Sequence, residues 1–163
     1  MAQFLALVAF IAVIALIVWA KGASRKALNR HVWDRTGHQG GQVAIKTTTS
    51  FVVPDKAAAE VVRTVVDTLG YPTTKRALAG EMVLLGATGT EARFALANKL
   101  HESWMSRLSV ADESDGAHGS YEVLRWTLVD GVVAGWKEME IVARRVGEIT
   151  TALGGTAKIT VPE

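Results

Sequence analysis

Apolar and polar positions change their spacing several times along this chain of 163 residues. From Phe4 to Ala20 there is no period at all: FLALVAFIAVIALIVWA carries no charged or polar side chain. As a helix such a run spans roughly 26 Å, close to the hydrocarbon thickness of a bilayer. The pattern predicts a single N-terminal transmembrane helix over residues 1–20.

A period of two follows from Gln42 to Val53. Val43, Ile45, Thr47, Thr49, Phe51 and Val53 alternate with Ala44, Lys46, Thr48, Ser50 and Val52, which predicts a strand. Pro54 suits the first position of a helix, with Asp55 in its first turn. Ala58, Val61 or Val62, Val65 and Leu69 then fall on one face, and Gly70 and Pro72 end the helix. Met82–Leu85 and Phe94–Ala97 flank Gly86-Ala87-Thr88-Gly89-Thr90 and predict a hairpin.

Leu100 to Val110 alternates again. Leu100, Trp104, Leu108 and Val110 share a side that Glu102 and Ser106 interrupt. Asp112 to Gly119 reads as a turn and Tyr121 to Val129 as a further strand. Met139, Val142, Val146, Ile149 and Leu153 make the apolar stripe of a second helix from about Trp136. Ala157 to Val161 closes the chain as a short strand, stopped by Pro162. The expected fold class is therefore α+β: an antiparallel sheet with two amphipathic helices on one face, in the order β-α-β-β-β-β-α-β. The expected organisation is an anchor over 1–20, a basic juxtamembrane linker over 21–41 with a glycine boundary at Gly37, Gly40 and Gly41, and a domain over 42–163.

The long first strand followed at once by Pro54-Asp55, and the long late helix after antiparallel strands, resemble the element order of helix-grip domains of the START and Bet v 1 type. The chain departs from that order in two places. Too few residues lie between its helices, and a strand follows the last one. A ferredoxin-like sheet with extra strands fits the ending better, and no family is assigned on this ground.

Charge changes the picture only near the anchor. The formal net charge is +2. Lys21, Arg25, Lys26, Arg30 and Arg35 stand against Asp34 alone, so the basic excess belongs to the linker and the remainder is slightly acidic. Lys21, Arg25, Lys26 and Arg30 are placed to meet anionic headgroups of the lipid bilayer. The positive-inside rule then puts the amino terminus outside and the domain in the cytoplasm, with an exported domain as the alternative. Nucleic-acid binding is not expected. The chain has no cysteine, which excludes disulfides, thiolate catalysis and cysteine-held metals.

Candidate chemistry is sparse. Gly86 to Ala92 is similar to a dinucleotide-binding glycine turn, but the strands after it favour an ordinary hairpin. Asp112, Glu113, Asp115 and His118 form an acidic loop without calcium-loop spacing. His31, His38, His101 and His118 lack metal-ligand spacing, so neither a metal nor a cofactor is expected. Trp104, Trp126 and Trp136, with Glu102 and Arg125 as polar groups, are the candidate ligand-binding residues, set between sheet and helix. The expectation leans away from an enzyme. It favours a membrane-anchored module that binds an unknown protein partner; a binding domain for an apolar or lipid-derived small molecule is the alternative.

Overall fold

The computed structural model describes residues 34–161. The expected anchor, and Lys21, Arg25, Lys26 and Arg30, lie outside them. Among the described residues no helix is long and apolar enough to cross a membrane.

The domain from Gln39 onward is an α+β unit with its own core. Its elements are α1 (Asp34–Lys46), β1 (Thr48–Pro54), α2 (Ala58–Leu69), β2 (Glu81–Ala87), β3 (Glu91–Ala97), β4 (Glu102–Glu113), β5 (Gly116–Trp126), β6 (Leu128–Val129), β7 (Val132–Val133), α3 (Trp136–Ala152) and β8 (Thr156–Thr160). Six strands form one sheet in the order β2-β3-β4-β5-β1-β8, and β6 and β7 make a small separate hairpin. Every strand pairing among the described residues is antiparallel.

The first expected strand is shorter than the alternation predicts. Gln42 to Lys46 belongs to α1, and only Thr48 onward is extended. The buried positions Gly41, Ala44 and Thr47 recur every third residue, the spacing of a helix face rather than of a strand. Gly40 and Gly41 act as contact points, not as breaks. A Cβ on Gly40 would stand 2.9 Å from the Trp136 ring, and one on Gly41 2.9 Å from Val133. The helix ends where Thr47 Oγ1 donates to the Val43 carbonyl at 2.8 Å. The domain therefore carries three helices, not two.

Pro54 closes β1 rather than opening a helix. Asp55 follows in the left-handed region at φ 57°, and α2 starts only at Ala58. From there the expected face holds: Ala58, Val61, Val62, Val65 and Leu69 are buried, and Gly70 ends the helix at φ 64° with its N–H on the Val66 carbonyl. The α3 stripe of Met139, Val142, Val146 and Ile149 is buried in the same core as α2 and the inner sheet face, which contributes Phe51, Phe94, Trp104, Leu108 and Tyr121. Tyr71 meets Phe94 edge-on at 6.0 Å. Two hydroxyls in this core, Ser106 Oγ and Tyr121 OH, interact with each other and make no other hydrogen bond among the described residues.

The β4–β5 turn is also tighter than expected. Glu113 pairs with Gly116, so Asp112, Glu113, Ala117 and His118 lie in strands and only Ser114 and Asp115 turn. Gly116 there has φ 137°, and a Cβ would meet the Val53 carbonyl at 2.4 Å. At the other end β5 stops at Trp126, and Leu128 and Val129 form the first arm of the small hairpin.

Candidate functional site

One end of the sheet, where β4 starts and β5 finishes, brings chemistry together. The means is a pair of β-bulges. On β4, Leu96 pairs with Trp104 and the next residue, Ala97, with Glu102, so Ser103 has no counterpart. On β5, Ser106 pairs with Val123 and Met105 with Arg125, so Leu124 has none. An extra residue turns everything beyond it to the other face. On an unbroken β4, Glu102 shares the core side with Trp104, as the alternation predicts. The bulge turns it to the outer face with Ala97, Ala95 and Met105. The second bulge does the same for Arg125, which otherwise follows Tyr121 and Val123 inward.

Glu102 and Arg125 consequently meet, and the Glu102 carboxylate accepts from the Arg125 guanidinium through Oε2. Its Oε1 accepts from Lys75 Nζ at 2.7 Å. The Lys75 hydrogen bond, more than Arg125, holds the Glu102 carboxyl below the usual glutamate range against the opposing effect of its partial burial.

Two loops frame the pair. Asn98 Oδ1 accepts from the N–H groups of Leu100 and His101, both at 2.8 Å, which folds the β3–β4 turn. That turn is tied to the loop after α2: Lys99 N–H donates to the Arg76 carbonyl at 2.9 Å and Asn98 Nδ2 to the Leu78 carbonyl at 3.1 Å. Thr127 closes the far side, its N–H on the Ser103 carbonyl at 2.7 Å. The open cleft has a volume of about 530 Å³ and is lined by Lys75, Lys99, Glu102 and Arg125 among polar backbone, with Leu100 and Trp126 also in its lining. Three cations face one carboxylate.

Of the five residues singled out in the sequence, the cleft unites Glu102, Arg125 and Trp126, the last 42 % exposed. Trp104 sits apart, fully buried in the core with Nε1 donating to the Gly135 carbonyl at 3.1 Å. Trp136 is half-buried against Gly40 of α1, with the Lys137 ammonium 5.6 Å from its ring centre. Sequence reasoning missed Asn98 and Lys99.

The remaining candidates resolve into local structure. Gly86 to Thr90 is the β2–β3 hairpin connection, in which Thr88 Oγ1 accepts from the N–H groups of Thr90 at 3.3 Å and Glu91 at 3.0 Å. Those amides are already occupied. Asp112, on β4, accepts from the Ala58 N–H and so serves the N-terminus of α2. Glu113, Asp115 and His118 keep their ligand atoms within 4.8 Å of one another. His118 Nε2 lies 2.8 Å from Asp115 and Nδ1 3.6 Å from Glu113, so the imidazole is shared between two carboxylates.

Chemically the cleft suits binding more than proton transfer. A carboxylate held ionised by two cations is a poor general acid, whereas Arg125, 62 % exposed at its side chain, keeps donors free for a ligand. Compared with protein-family models and with curated protein sequences, the chain matches none.

Proposed function

We infer that the protein is a membrane-anchored, non-catalytic interaction module, and that the cleft at the β4–β5 end is where it grips a protein partner. The observation that carries this reading is the Lys75–Glu102–Arg125 cluster beside Leu100 and Trp126. Arginine and tryptophan are the residue types that concentrate binding energy at protein interfaces. The excess of cations suits a peptide segment with a carboxylate next to an apolar side chain. The apolar stretch Phe4–Ala20 and the cations after it support attachment to the bilayer with the domain in the cytoplasm.

A photoreactive residue at Leu100, 81 % exposed, tests the cleft in native membranes. The expected result is a discrete adduct that Arg125→Glu abolishes and Arg63→Glu, on the exposed side of α2, leaves intact. An adduct indifferent to Arg125→Glu refutes the reading. Resistance to alkaline extraction, with a C-terminal tag protected in inside-in vesicles and exposed in inverted ones, tests the anchor separately.

A further inference from the structure

The opposite edge of the sheet is unfinished. β8 bonds to β1 on one side only, and all five of its residues are exposed. Its inner-facing residues are identified by their partners: Ile159 lies opposite Thr49 and Ala157 opposite Phe51, both core positions. Ile159 is nevertheless 49 % exposed. α3 covers this edge incompletely. It sits close where Gly147 passes, with a Cβ position 3.5 Å from Ala157 and 3.6 Å from Thr49, and beyond that point a groove opens. The groove has a volume of about 500 Å³, with Ala157 and Ile159 as its floor and Thr151 and Ala152 in its wall. An open strand edge beside an apolar groove invites another strand.

Its rim indicates which strand. Arg144 and Glu148 stand one turn apart on α3, each 65 % exposed and only loosely paired at 3.7 Å. Under a two-fold axis at this edge the two α3 helices run antiparallel, which brings Arg144 of each copy toward Glu148 of the other. The surface is thus complementary to itself, as an isologous contact requires. We propose that the β8 edge is a homodimer interface, in which β8 pairs antiparallel with β8 of a second copy and the sheet continues across the axis. Lys158 selects the register. Pairing the two Ile159 residues sets Lys158 against Thr160 and Ala157 against Val161, whereas pairing through Lys158 sets two ammonium groups face to face. The interface lies at the far edge from β2 and goes beyond the cleft reading without depending on it.

The absence of native cysteine makes the test direct. In the full chain, Ile159→Cys should give a disulfide-linked dimer on mild oxidation, and Ser114→Cys, at the β4–β5 turn, should not. In sedimentation of the detergent-solubilised chain, Arg144→Glu should weaken dimerisation about tenfold or more, and Arg144→Glu with Glu148→Arg should restore it. Both positions are exposed on a helix, so circular dichroism should stay that of the parent chain. A monomer at every concentration overturns the proposal. So does a dimer indifferent to both the charge reversal and Ile159→Lys, because that dimer forms elsewhere.

Discussion

Asp112 of β4 caps a helix that lies 54 residues earlier in the chain: its Oδ1 accepts from the Ala58 N–H at 2.6 Å. The local N-cap position of α2 is Ala57, which has no side chain able to do this. The carboxylate also faces the positive end of the helix dipole. The β4–β5 hairpin and α2 are therefore joined by a polar contact as well as by their shared core.

Asp112→Ala should accordingly destabilise the domain by about 1 kcal/mol, within the usual range for loss of a cap. Asp112→Asn, which keeps an acceptor, should lose less. Urea unfolding followed by circular dichroism reads both, and the midpoint should move without a change in the slope. An unchanged midpoint for Asp112→Ala would show that water replaces the cap at no cost.

Glu102 should titrate below the ordinary glutamate range in the folded chain, because Lys75 and then Arg125 stabilise its ionised form. A folded pKa lower than the unfolded one means that this contribution to stability is present above the unfolded value and is lost as the pH falls through the folded value. Glu102→Gln should therefore flatten the acid limb of the stability profile. Carboxyl carbon NMR should show the midpoint rising more in Lys75→Ala than in Arg125→Ala. The reverse order would mean that the guanidinium is the dominant partner.

The two tyrosines, Tyr71 and Tyr121, should both ionise late. Burial raises each phenol, and Arg145 partly offsets the effect at Tyr71. Tyr121 is fully buried, so absorbance should report its ionisation only as the fold opens. With the folded pKa above the unfolded one, stability is complete below the unfolded value, about 10 for tyrosine, and falls as the pH rises past it. Tyr121→Phe should soften that alkaline loss. At neutral pH it should cost no more than about 1 kcal/mol, since what it removes is a weak contact between this hydroxyl and Ser106. A loss above about 1.5 kcal/mol at neutral pH would reveal a hydrogen bond to that hydroxyl.

Two glycines make a matched pair of probes. A Cβ on Gly119 would stand 2.3 Å from the Phe51 ring and 2.8 Å from the Ser109 carbonyl. Gly119→Ala should cost about 1–3 kcal/mol through overpacking. Gly86 has no neighbour within 4 Å of such an atom, and Gly86→Ala should stay within about 0.5 kcal/mol of the parent. Thermal unfolding of the pair separates close approach from simple glycine content.

Much of the domain was legible because burial followed a single period. Val61, Val62, Val65 and Leu69 on α2, and Met139, Val142 and Val146 on α3, are buried at helical spacing, and Trp104, Leu108 and Val110 at strand spacing. α1 was missed because Val43, Ile45 and Thr47 happen to alternate. Gly40 and Gly41 look like breakers until the Trp136 and Val133 surfaces they fit are known. The cleft was legible only in its ingredients. Glu102 and Arg125 stood out as polar residues within strands, but their common face depends on which residues of neighbouring strands go unpaired. That is a relation between strands, invisible within either one. Lys75 and Lys99 reach the same place through loops whose backbone bonds, such as Lys99 to Arg76, join segments distant in the chain.

The unpaired residues Ser103 and Leu124 carry a further implication for engineering. Each is the extra residue of its bulge, so the charged side chains beyond it keep their face without it. Removing Leu124 would set Arg125 directly after inward-facing Val123, on the outer face opposite Met105, and the strand would become regular with the Glu102–Arg125 contact kept. A deletion one codon long would thus straighten the recognition end of this domain without moving its charges, and would separate the part played by the bulge from that played by the ion pair.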